Sequence, residues 1–220
     1  MTSPAAISFR AVLFDMDGTL LDSSESVRIA WSEFAERHGF DPDEMLIRAH
    51  GRKSFDTVKE HLPDASPAQW DAENDIVLRR EVELDEGVHP IAGAAPFIAR
   101  LHELGIPIAL VTSAALELAQ ARMRAAGLAM PATSITAERV RHGKPNPEPF
   151  LLGAEALGVP IAHCLAFEDA EAGIQAAVAA GAQVVVVGEH RSASTVGLPR
   201  IADYQSLKLS AEAVGAQVTF

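Results

Sequence analysis

From Gly93 onward the chain alternates short apolar runs with helix-periodic segments, and glycine closes one helix after another. The segments read as a helix over 94–104, a strand over 107–112, a helix over 114–126 and a weak strand over 134–137. A helix then begins near Glu148, followed by a strand over 163–167, a helix over 170–180 and a strand over 183–187. Gly105, Gly127, Gly158 and Gly181 stand where each helix must stop, the position that favours a left-handed residue. Such alternation leaves few arrangements open, because parallel strands need crossover helices that pack back on the sheet.

The run 11–14 is apolar throughout and reads as a first strand buried on both faces. The 22–87 stretch after it contains only helical patterns. A helix to about His38 buries Val27, Ala30, Trp31, Phe34 and Ala35 on one face. Short helices over 42–49 and 54–62, a loop over 63–67 and a charged helix over 68–84 follow. The expected fold is α/β: a doubly wound, Rossmann-like parallel sheet with a small all-helical domain inserted after the first strand. Residues 1–21 and 88–220 would form the α/β core and 22–87 the helical insert. The last stretch, 201–220, carries no clear pattern.

The first strand ends on Asp15-Met16-Asp17-Gly18-Thr19-Leu20, two carboxylates one residue apart and then a glycine. Ligands of open α/β sheets bind outside the carboxyl ends of strands, so acids there face a ligand. Gly18 allows the backbone to bring N–H groups close to an anion. A surface loop capped by two aspartates has the same local pattern, so Asp-x-Asp-Gly gains meaning only from complementary groups elsewhere.

Three later stretches supply them. Thr112-Ser113 closes the second strand, where hydroxyls ahead of a helix can cap that helix or bind phosphate. Lys144 lies in Gly143-Lys144-Pro145-Asn146-Pro147-Glu148-Pro149, where prolines stiffen the loop and make the lysine a fixed point charge. Glu168-Asp169 ends another apolar strand; beside Asp15, these acids crowd negative charge unless a cation joins them. Mg²⁺, which takes carboxylate, carbonyl and phosphate oxygens, suits such a cluster. Net charge is −12, so an anionic substrate gains nothing from the overall field and its site must be made positive locally.

Taken together and in this order, the four stretches resemble the motifs of the haloacid dehalogenase superfamily, most of whose members are phosphatases. The resemblance spans 9–187. It implies Asp15 as nucleophile, Asp17 as general acid and base, and Thr112 and Lys144 as holders of the phosphoryl group, with Ser113 beside them. It implies Mg²⁺ held by Asp15, the Asp17 carbonyl and Asp169, with Glu168 acting through water. The helical insert corresponds to the superfamily's cap, and His50-Gly51-Arg52-Lys53 within it resembles the caps of sugar- and polyol-phosphate phosphatases. These four residues are expected to bind substrate. The β-phosphoglucomutases share the core but usually carry a histidine where Val27 stands here. Dehalogenases of the superfamily lack the second aspartate, and a binding protein on this scaffold would be expected to have lost Asp15, Asp17 or Lys144.

The partner expected is therefore a small phosphate ester. The acidic balance argues against nucleic acid and anionic membranes. No apolar run reaches spanning length and the N-terminus has no signal-like core, so a cytoplasmic protein, a monomer or weak homodimer, is expected. The lone Cys164 excludes an internal disulfide.

Overall fold

A computed structural model describes residues 6–49, 51–85 and 87–220. In chain order the elements are β1 (Ala6–Phe9), β2 (Ala11–Phe14), β3 (Leu21–Asp22), α1 (Ser24–His38), α2 (Pro42–Ala49), α3 (Ser54–His61) and α4 (Pro67–Glu83). Then come β4 (His89–Pro90), α5 (Ala94–Glu103), β5 (Ile108–Val111), α6 (Leu116–Ala125), β6 (Thr133–Ile135) and α7 (Glu148–Ala156). The chain ends with β7 (Cys164–Glu168), α8 (Glu171–Ala180), β8 (Gln183–Val187), β9 (Arg200–Ile201), β10 (Lys208–Ala211) and β11 (Ala216–Thr219).

The main sheet is parallel throughout, in the order β6-β5-β2-β7-β8-β9. β2 is buried along its whole length because β5 and β7 flank it and helices cover both faces. On one face α5 and α6 supply Phe97, Leu101 and Met123 to a core around Phe14 and Phe167. Phe14 stacks on Phe167 with ring centroids 5.3 Å apart, and Phe97 meets both edge-on. Each such ring contributes roughly 1.5–3 kcal/mol by burial. On the other face Phe150 and Ala154 of α7 and Ala176 and Ala177 of α8 cover Leu13 and Ala166.

Helices α1–α4 pack on one another around their own apolar cluster, which includes Trp31, Phe34, Met45, Val58 and Val77. α4 starts on a capping box in which Ser66 and Gln69 satisfy each other's backbone N–H groups. The expectation of no strand over 22–87 needs one correction. Asp22 belongs to β3, which pairs antiparallel with β4 where the chain leaves and re-enters the core. Two residues are too few to show an alternating pattern. The unpatterned stretch 201–220 holds β10 and β11, which form a separate antiparallel sheet with β1. No helix among the described residues is long and apolar enough to cross a membrane.

Candidate active site

β2 and β7 run side by side with Phe14 opposite Phe167, which brings Asp15 next to Glu168. The Asp15 N–H donates to the Phe167 carbonyl at 3.1 Å, extending the ladder one step past the strand. From β2 the chain builds outward through β5 and β6, then returns to β7 on the other side of β2. Asp15 and Glu168 therefore sit where the strand order reverses, the place where open α/β sheets take ligands.

Lys144 lies between them, its Nζ 2.6 Å from Asp15 Oδ1 and 2.6 Å from Glu168 Oε1. All three side chains are buried. The loop that delivers Lys144 is pinned by Glu148, whose carboxylate accepts the Arg141 and His142 N–H groups. Burial, together with the Glu168 charge, pushes the Asp15 carboxyl up to about 7. Burial opposes the charge on Lys144, but Asp15 and Glu168 outweigh it and hold its pKa above the ordinary lysine value.

Glu168 Oε2 accepts the N–H groups of Asp169 and Ala170 at 3.0 and 3.2 Å. Oxygens of Asp15, Glu168 and Asp169 lie within 4.8 Å of one another. Gly18 has φ +78°, and a Cβ there would stand 2.0 Å from Asp169 Oδ2, so only glycine lets that carboxylate approach the loop. With Asp17 alongside, Asp15, Glu168 and Asp169 concentrate carboxylate oxygens at one point beside Lys144, a donor set that suits a divalent oxygen-binding cation.

Asp17 Oδ1 accepts the Ser23 hydroxyl at 2.6 Å, and Oδ2 pairs with Arg122 at 2.9 Å. Arg122, on α6, also reaches Glu81 of α4 at 3.0 Å. Arg122 and Glu81 are not among the site residues expected from the sequence. The available signal was a charge on an apolar helical stripe: Arg122 follows Leu118 by one turn, and Glu81 follows Val77 likewise.

Thr112 Oγ1 accepts the Ala114 N–H at 3.1 Å, and α6 begins at Leu116, not at Ala114 as the pattern predicts. The hydroxyl thus closes a turn ahead of the helix. The Ser113 hydroxyl donates to the Gly51 carbonyl at 3.0 Å. A cavity of about 340 Å³ is lined by Asp15, Asp17 and Thr112 of the core and by Val27, Trp31 and Arg52 of the helical block. Ser113 and Gly51 also line it. Arg52 pairs with Glu60 at 2.7 Å. Lys53 turns to the neighbouring loop instead: its Nζ donates to the Val140 carbonyl at 2.9 Å and its stem lies against Gly143. His50 lies outside the described residues.

Hexitol phosphatase A of Escherichia coli is 40% identical over 178 residues, 81% of this chain and 82% of that protein. Glycerol-1-phosphate phosphohydrolase 2 of Saccharomyces cerevisiae is 32% identical, covering 84% of this chain and 76% of its own. In fold, the chain matches a β-phosphoglucomutase of Clostridium difficile with a TM-score of 0.81 at 21% identity, over 91% of this chain and 93% of that one. Residues 9–181 match the model of the haloacid dehalogenase-like hydrolases. With Asp15, Lys144 and the Glu168-Asp169 pair gathered at one switch point, the chain belongs to the haloacid dehalogenase-like hydrolase family.

Proposed function

We propose that this chain is a Mg²⁺-dependent phosphatase of small sugar or polyol phosphates, working through an aspartyl-phosphate on Asp15. The observation that carries the reading is the Asp15 carboxylate at the switch point, one oxygen held 2.6 Å from Lys144. That contact orients the carboxylate and leaves its second oxygen to attack phosphorus, forming the O–P bond as the ester oxygen departs. Asp17 gives a proton to the departing alcohol. It later takes one from the water that attacks phosphorus and frees Asp15. Lys144 and Thr112 hold the phosphoryl oxygens, with Ser113 beside them, the kind of electrostatic positioning on which phosphoryl transfer depends.

Asp15, Asp169 and the Asp17 carbonyl are the groups suited to hold Mg²⁺, which when bound supplies positive charge to the phosphoryl oxygens. An indirect role for Glu168 agrees with its oxygens being engaged by Lys144 and two backbone N–H groups. Residues 22–87 would act as a cap over the cavity, with Gly51 and Arg52 on its wall reading the alcohol part of the substrate. The named activities of the hexitol and glycerol-phosphate relatives support a polyol or sugar leaving group. Val27, at the position where the mutases usually carry histidine, faces this cavity and favours hydrolysis over phosphomutase chemistry. We assign the chain as a cytoplasmic monomer or weak homodimer.

The test is phosphate release across hexitol, glycerol and sugar phosphates with Mg²⁺ and after chelation, beside a glucose 1-phosphate to 6-phosphate assay. Metal-dependent release from polyol or sugar esters is expected. Isomer exchange without release would replace the hydrolase by a mutase.

A further inference from the structure

Among the described residues, Arg122 and Glu81 are the most deeply buried charges outside the groups already given roles. Arg122 is 4% exposed and Glu81 6%. Burying a guanidinium and a carboxylate is costly unless each is paired, and an apolar pair of similar volume often serves stability as well or better. Their arrangement is a line across three elements. Glu81 on α4 holds Arg122 Nη2 at 3.0 Å, and Arg122 Nη1 on α6 holds Asp17 Oδ2 at 2.9 Å. Arg122 Nε has no protein partner among the described residues. The guanidinium is thus held in place by the two carboxylates at its end. Its position depends on α4, an element of the helical block, while what it grips sits just beyond β2.

We propose that Arg122 is a positioning residue for Asp17, and that Glu81 makes this positioning depend on the helical block standing over the core. The proposal rests on the reading of Asp17 as proton donor to the leaving alcohol. Ser23 secures one oxygen of the Asp17 carboxylate and Arg122 the other, which fixes the plane of the group. A proton is passed efficiently only along a short, aligned path, so a swinging carboxylate transfers poorly. When α4 moves away, Arg122 loses one of its two anchors and the hold on Asp17 loosens. The site is then competent only with the helical block in place, when water is also excluded.

The test separates this role from simple stabilisation by the leaving group. Glu81→Gln, Arg122→Met, the double variant and Asp17→Asn are compared with the wild type in the first turnover. The substrates are glycerol 1-phosphate, whose alkoxide must be protonated, and 4-nitrophenyl phosphate, whose phenolate leaves unaided. Glu81→Gln and Arg122→Met should slow alcohol release from glycerol phosphate tenfold or more and nitrophenol release less than threefold. The double variant should be no slower than Arg122→Met alone, because both changes cut one line of contacts. If Arg122→Met does not fold, Glu81→Gln, which keeps size and one acceptor, decides. Equal losses on both substrates, no loss, or faster turnover in Glu81→Gln overturns the proposal. Asp17→Asn must show the same selectivity more strongly; its failure to do so refutes the role of Asp17 itself, a distinct result.

Discussion

The carboxylate of Asp169 rests against Gly18 so closely that a Cβ on residue 18 would stand 2.0 Å from Asp169 Oδ2. The loop after β2 and the end of β7 are therefore fitted to each other through the absence of a side chain. Gly18 has φ +78°, so alanine there adds backbone strain of about 1 kcal/mol. The Asp169 carboxylate, at the end of a short side chain, must swing aside. Gly18→Ala is expected to raise the Mg²⁺ concentration giving half-maximal phosphatase activity at least tenfold, with little change in melting temperature. Magnesium titrations and thermal melts of the pure variant check both parts.

Gly173 has a similar closeness and an opposite expected outcome. A Cβ there would stand 1.7 Å from Glu168 Oε1. Glu168 is buried and tied to Lys144 and two backbone N–H groups, so it has nowhere to go. Gly173→Ala should cost about 2–3 kcal/mol of stability through overpacking. Urea unfolding of the two proteins measures this directly, and an unchanged midpoint would contradict it.

Asp15→Asn should abolish turnover, because the amide is a poor nucleophile, while keeping the fold. Its effect on stability follows from charge. Burial and the neighbouring Glu168 raise the Asp15 pKa from 3.8 to about 7, so over this range the folded state binds more protons than the unfolded one. Stability of the metal-free protein therefore falls as pH rises through this window. Asn carries no such penalty. Melts from pH 4 to 8 in chelator should show a steeper decline for the wild type than for the variant.

Arg52 and Lys53 are neighbours with separate surroundings. Arg52 lines the cavity, whereas Lys53 clasps the Val140 carbonyl beside the loop that carries Lys144. Arg52→Ala should raise KM for polyol phosphates and leave 4-nitrophenyl phosphate, which has no hydroxyls to read, nearly unaffected. Lys53→Met should lower kcat/KM on both substrates by a similar factor of about 3 to 10, since it loosens a loop every substrate needs. Steady-state kinetics on the two esters distinguishes the pair.

Strand ends, helix stops and the acids and lysine of the site were legible in the sequence because each is a local pattern. A buried strand shows as an apolar run such as 11–14, and Lys144 stands out by the prolines after it. Two features were not legible. β10 is largely exposed and pairs with β11, which pairs with β1 near the other end of the chain, so no amphipathic period marks it. The line from Glu81 through Arg122 to Asp17 joins residues on two helices and the loop after β2, and either charge alone looks like an ordinary helix residue. The sequence by itself determined the alternation, the family and the acids and lysine that stand at the strand ends, because backbone preference and burial write these into neighbouring positions. Only the tertiary structure decided which distant side chain holds Asp17, that Lys53 grips a backbone carbonyl, and that Thr112 closes a turn. Those contacts depend on how α4, α6 and the loops come to rest against one another.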